Sequence, residues 1–168
     1  KHAGRQTYAF YTQELTILAR QRMELGAALR QAIEAGQLHL NFQPILDLKS
    51  GQVRGVETLV RWRHPIQGLV PPGDFIPLAE ENGLISAIDT WVLGAACRQM
   101  RAWQEQGVDL DFIAVNVSSR LFGRGELEEQ VRRVLEETGL HPGCLELEVT
   151  ESAVMQDPEA AQDLLRRL

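Results

Sequence analysis

An acid, an apolar residue and a base occupy alternate positions in the stretch Val56-Glu57-Thr58-Leu59-Val60-Arg61-Trp62. Its β-branched and aromatic composition is that of a strand, whose side chains alternate between faces. Glu57, Leu59 and Arg61 therefore share one face, and Val56, Thr58, Val60 and Trp62 share the other. Burying charge is costly unless it is paired or bound to a metal. The first face is either the end of a functional cleft or the seat of a structural Glu57–Arg61 ion pair. Two further strand-like runs also end in oxygen-rich residues. One runs Phe112-Ile113-Ala114-Val115 into Asn116-Val117-Ser118. The other, Leu145 to Thr150, offers Glu146 and Glu148 on one face, with Glu151 just past its end. Ligands in α/β folds bind outside the C-terminal ends of the strands. Carboxylates and an amide oxygen gathered there suit a hard divalent ion such as Mg²⁺ or Mn²⁺. No His–Cys cluster points to zinc, and no Ser or Cys nucleophile has a partnered His.

Each of these residues also has an ordinary role open to it. Asn116 at a strand end can be a turn-former. Glu151 can interact with backbone N–H groups at a helix start. Gln43, beside Pro44, can hydrogen-bond to backbone. Glu148 is harder to explain away, because an unpaired carboxylate facing a parallel-sheet interior is expensive.

The elements that must position these residues follow from periodicity. Glu14 to Ala35 reads as a helix with a partial stripe of Leu15, Leu18, Met23, Leu25, Leu29 and Ile33, closed by Gly36. Leu38 to Leu46 alternates as a strand, and Pro44 confines it to an edge, a bulge or a strand end. After the turn Asp47-Leu48-Lys49-Ser50-Gly51, the strand Val53 to Trp62 returns as the second arm of an antiparallel hairpin. Arg63 to Gly73 reads as a loop. Asp74 then caps a short helix to Glu81, followed by a long helix from about Ser86 to Gln106. A strand follows over Asp111 to Val117, then a helix over Glu126 to Thr138. The strand Leu145 to Thr150 and a helix from Pro158 close the order. Alternation of this kind predicts an α/β fold with parallel strands. No Gly-rich phosphate loop follows any strand, which argues against a dinucleotide-binding or P-loop fold.

The 168 residues suffice for one domain with a real core. A net charge of −6 argues against a general binder of nucleic-acid polymers or membrane surfaces. An anionic ligand would need local positive charge from Arg61, helix N-termini or metal ions. Cys97 and Cys144 form no close motif and read as reduced core residues of a cytoplasmic protein. No apolar run approaches bilayer-spanning length. The chain has no initiator Met and stops inside a helical pattern, as expected of a piece of a longer protein, one whose other segments could tether it to a membrane.

Five motifs in order carry a resemblance to a known family. They are Gln43-Pro44, Glu57-Thr58-Leu59-Val60-Arg61-Trp62, Pro72-Gly73-Asp74-Phe75-Ile76-Pro77-Leu78-Ala79-Glu80, Asn116-Val117-Ser118 and Glu148-Val149-Thr150-Glu151. Over roughly residues 25 to 168 the chain resembles the EAL domains, bacterial cyclic di-GMP phosphodiesterases. Residues 1 to 13 resemble the C-terminal tail of a GGDEF diguanylate cyclase domain, with residues 14 to 24 as a helical linker. The resemblance implies the N-terminal half of a modified TIM barrel whose first strand is antiparallel. It implies Glu57, Asn116 and Glu148 as catalytic metal ligands for two Mg²⁺ or Mn²⁺ ions. Gln43, Leu59 and Arg61 would touch the dinucleotide, with Arg61 on a phosphate, and Glu151 would support the loop near the metals. The activity implied is hydrolysis of cyclic di-GMP to the linear dinucleotide.

Two departures qualify the resemblance. Thr58 replaces the Ala of the family's name motif, but it faces away from Glu57 and little effect is expected. The family's later Asp-Asp and Lys motifs lie beyond this chain, and a full TIM barrel takes about 250 residues. The segment alone is therefore expected to be inactive and, with an open sheet edge, to form a homo-oligomer. The alternative to an enzyme is a non-catalytic EAL-type receptor for cyclic di-GMP or an interaction module.

Overall fold

A computed structural model describes residues 13–118, 126–149, 154–155 and 158–167. The described elements are α1 (Gln13–Glu34), β1 (Leu38–Leu46), β2 (Val53–His64), β3 (Gly68–Val70), α2 (Pro72–Glu81), α3 (Ile85–Glu105), β4 (Phe112–Val117), α4 (Glu126–Thr138), β5 (Leu145–Val149) and α5 (Pro158–Arg167). The four principal strands form one sheet in the order β1-β2-β4-β5, with β3 attached to β2. β1 is antiparallel to β2, while β2, β4 and β5 run parallel. The α/β order, the hairpin and the parallel strands are as the periodicity predicts.

Apolar alternation drives one face of this sheet into the core. Val56, Thr58 and Trp62 of β2 are buried, as are Ile113, Val115 and Val117 of β4. Against them α3 lays Ile88, Val92, Ala96 and Met100, and α2 lays Phe75 and Ala79. Aromatic rings meet edge-on in this layer, Phe42 with Trp103 at 4.7 Å and Trp62 with Phe75 at 5.8 Å between centroids. Such pairs add to the area they bury because ring edges and faces carry opposite partial charge. Cys97 lies fully inside, and burial pushes its thiol up to about 11. Both cysteines are free, as their spacing predicts.

Gly55 makes room for the Phe112 ring where β2 pairs with β4. It lies opposite Phe112 in the ladder, and a Cβ at this position would come within 2.7 Å of the Phe112 ring. Only glycine admits the ring there. The contact lies two residues before Glu57 on the same strand.

Three local expectations are corrected. Residues 63–70 are not loop: β2 continues to His64 and β3 folds back on it, pairing Trp62 with Val70 and His64 with Gly68. The buried His64 holds this turn by accepting the backbone N–H groups of Ile66 and Gln67 at its Nδ1. Asp74 does not cap α2. Pro71 is the capping residue without a side-chain bond, Pro72 begins the helix, and Asp74 lies in its first turn. A proline at the first helical position needs no hydrogen-bond partner, so it starts the helix earlier. Met23 is 77% exposed rather than part of the buried stripe, which consists of Leu29 and Ala32 with Leu25 and Ile33 beside them. Of the segment expected as a preceding domain's tail, residues 1–13, all but Gln13, which begins α1, lie outside the described residues, as does the terminal Thr150 of the third strand.

Candidate active site

The sheet's second face gathers the candidate site residues. In the β2–β4 ladder Glu57 lies beside Ala114. In the β4–β5 ladder Ala114 lies beside Glu146, and Asn116 beside Glu148. Laterally paired residues project from the same face, as do residues two apart on one strand. Glu57, Asn116, Glu146 and Glu148 therefore share one face across three neighbouring strands. The buried Ala114 between them keeps the floor small.

Within this group Asn116 Nδ2 donates to Glu57 Oε1 at 2.9 Å. That bond orients the amide and leaves its oxygen without a donor among the described residues. Glu148 has its carboxyl pushed above the ordinary range, first by burial and then by the negative charges of Glu57 and Glu146. Two glutamates and an amide oxygen, drawn together against mutual repulsion, fit a hard divalent cation. Among the described residues no three His, Cys, Asp or Glu side chains form a ready-made metal cage. The Asn oxygen is the third donor in this set.

The Glu57–Arg61 ion pair that the strand pattern left open does not form. Arg61 Nη1 instead donates to the Val60 carbonyl at 2.9 Å. Arg61 makes no ion pair among the described residues, so its charge stays available. Its field is felt by His39, its ladder partner on β1. Burial, then the positive charges of Arg63 and Arg61, lower the His39 pKa. Gln43 lies directly opposite Glu57, and Asn41 opposite Leu59, so the polar side of β1 continues the same surface. Pro44 is tolerated there because β1 is an outer strand of this sheet. Glu151, expected as a supporting residue, lies outside the described residues.

A cavity of about 300 Å³ opens between the strand ends and the helices α2 and α3, walled by Leu59, Arg61, Pro72, Ile76, Asp89 and Asn116. Its volume is at the low end of small-molecule sites. The helix-borne walls were not singled out from sequence. Asp89 in particular sits one position beyond the buried Ile88, and helical periodicity alone marks it as a flanking polar residue.

A family model, the EAL domain, matches residues 27–168. The chain belongs to the EAL-domain family. Its similarity to other EAL-containing proteins runs over its full length. It is 45% identical over 168 residues to the cyclic di-GMP phosphodiesterase NbdA of Pseudomonas aeruginosa, covering all of this chain and 22% of that protein. It is 44% identical over 168 residues to the bifunctional diguanylate cyclase/cyclic di-GMP phosphodiesterase MucR of the same organism, covering all of this chain and 24% of MucR. The chain thus spans under a quarter of either relative. Among solved structures, the PaMucR phosphodiesterase in complex with c-di-GMP superposes with a TM-score of 0.81 at 47% identity, over 86% of this chain and 58% of that one. The α/β sheet described above is accordingly part of a TIM-barrel-like EAL fold, with its antiparallel first strand in place.

Proposed function

We propose that the protein of which this chain is part hydrolyses cyclic di-GMP to the linear dinucleotide in the cytoplasm. The observation that carries the reading is the convergence of Glu57, Asn116 and Glu148 on one face of adjacent strands, with Arg61 farther along the same face of β2. NbdA and MucR, both at more than 40% identity, are described as acting on this dinucleotide.

In this reading Glu57, Asn116 and Glu148 hold one or both of two Mg²⁺ or Mn²⁺ ions. Bound divalent ions would lower the pKa of a water molecule and offset charge on the reacting phosphodiester. The chain's own residues do the rest. Asn116 presents its oxygen because its N–H is committed to Glu57. Arg61 takes a phosphate through its fork of N–H donors, a geometry that matches phosphate oxygens. Gln43, opposite Glu57, supplies neutral donors and acceptors to the dinucleotide, and Leu59 supplies an apolar contact between them. Glu151 supports the loop beside the ions.

The edge of β5 that is unpaired among the described residues takes the next barrel strand of the longer protein, and the GGDEF-like segment precedes α1. The 168-residue segment by itself is inactive and associates through that edge.

The test is incubation of the purified protein with cyclic di-GMP and Mg²⁺, with nucleotides separated by chromatography. Linear dinucleotide that forms with Mg²⁺ and not with EDTA is expected. Tight binding without turnover would replace the enzyme reading with a receptor for the same dinucleotide.

A further inference from the structure

Asp89, on α3, holds the segment that leaves the site. Its Oδ2 accepts the Ser118 hydroxyl at 2.5 Å and the Ser118 backbone N–H at 3.4 Å. Ser118 is the residue after the end of β4 and the second after Asn116. Among the described residues the β4–β5 ladder ends at the Val117–Val149 pair, with Ser118 just beyond it. The carboxylate takes over where the ladder ends. It is also a stiff support, because Ile85, Ile88 and Val92 around it on α3 are all buried. Burial raises the Asp89 pKa, the Ser118 bonds lower it, and nearby Glu80 raises it. An apolar residue at this place would avoid the desolvation cost but could not accept two hydrogen bonds.

We propose that Asp89 is a positioning residue of the strand-end site. Through Ser118 it fixes the backbone leaving β4, and with it the angle at which Asn116 meets Glu57 and offers its oxygen to a cation. The inference rests on the metal-dependent reading above. It assigns a role to a helix residue that is outside the proposed set of cation ligands and dinucleotide contacts, although it walls the same cavity.

The test uses the full protein and two readouts, Mn²⁺ affinity from electron paramagnetic resonance of free Mn²⁺, and steady-state turnover of cyclic di-GMP. Removing a residue that orients a metal ligand typically costs about 10- to 100-fold in affinity or activity. Asp89→Ala is expected to weaken Mn²⁺ binding and lower kcat within that range. KM is expected to stay within about threefold, since Gln43, Leu59 and Arg61, the residues assigned to the dinucleotide, are unchanged. Asp89→Asn keeps an acceptor oxygen for Ser118 and is expected to stay within about threefold of wild type on both readouts. Ser118→Ala removes only the hydroxyl and is expected to weaken Mn²⁺ binding in the same direction. It carries the test if Asp89→Ala does not fold. Unchanged Mn²⁺ affinity in Ser118→Ala and Asp89→Ala, with wild-type turnover intact, overturns the positioning role. An Asp89→Asn variant as impaired as Asp89→Ala also overturns it. A wild type that binds Mn²⁺ without turnover overturns the phosphodiesterase reading instead, and the Mn²⁺ affinities still decide the role of Asp89.

Discussion

Asn116 and Glu57 are joined across parallel strands by a 2.9 Å hydrogen bond from amide to carboxylate. A bond to a charged acceptor contributes about 1.5–3 kcal/mol. Here its larger consequence is orientation. It fixes which atom of Asn116 is free and where one Glu57 oxygen points, before any ligand arrives. Glu148, paired with Asn116 on the far side, is held within the field of Glu57. Among the described residues no Lys or Arg forms an ion pair with Glu57, Glu146 or Glu148.

Glu148→Gln separates the two roles of this carboxylate. It removes a donor, and turnover of cyclic di-GMP is expected to fall at least about 100-fold, more than for residues acting through a ligand. It also removes repulsion from Glu57 and Glu146, so in EDTA the variant should resist urea at least as well as wild type. Nucleotide chromatography and denaturant titration check the two halves. A variant destabilised in EDTA would contradict the repulsion described here.

Arg61→Ala tests the phosphate contact. Loss of a charge-assisted hydrogen bond costs about 1.5–3 kcal/mol, or roughly 10- to 150-fold in affinity for cyclic di-GMP. Arg61→Lys keeps the charge but loses the planar fork, and should recover only part of it. Calorimetric titration in Ca²⁺ or EDTA measures binding apart from turnover.

Thr58 is the departure from the family's name motif, and its hydroxyl is buried without a hydrogen-bond partner among the described residues. Thr58→Val keeps the shape and removes the polar atom, so unfolding should become harder by about 1 kcal/mol. Because Thr58 faces the helices, away from Glu57, turnover should not change. Urea midpoints and rates measured side by side check both statements.

Asp89 makes stability depend on pH in a definite direction. Its pKa is raised on folding, so the native state holds the proton more tightly than the unfolded chain. Its contribution is fully present below the unfolded carboxylate pKa and is lost as pH rises through the folded value. Asp89→Asn does not titrate there. Its stability relative to wild type should therefore improve between about pH 3.5 and neutrality, below and above the ordinary Asp value. Denaturant titrations across that range, with Asp89→Asn as reference, measure the slope.

Much of this arrangement is legible in the sequence because strand alternation has a period of two. Glu57, Leu59 and Arg61 declare their shared face without a structure, and so do Glu146 and Glu148. The continuous run from Phe112 to Val115 declares a strand covered on both sides. What alternation cannot give is lateral register. The sequence left open whether Glu57 pairs with Arg61 or lines a cleft, and it did not show that Asn116 is its partner, because partners 59 residues apart are chosen by how strands align. The β2–β3 hairpin was hidden for a similar reason. Prolines and a glycine around a three-residue strand read as loop when the buried His64 that holds the turn gives no periodic signal. Asp89 was hidden because its partner lies at the end of a different element.

The β2–β4 pairing has a consequence for how the protein comes to be folded. The β1–β2 hairpin closes across a six-residue connection and is local in sequence. The parallel alignment of β2 with β4 needs the whole intervening crossover, α2 and α3 included, before its first bond is made. Contacts so distant in sequence form slowly, since loop entropy is lost before they return anything. The Glu57–Asn116 bond can exist only after that step. On the proposed function, cation affinity at the strand ends would therefore report a late stage of folding.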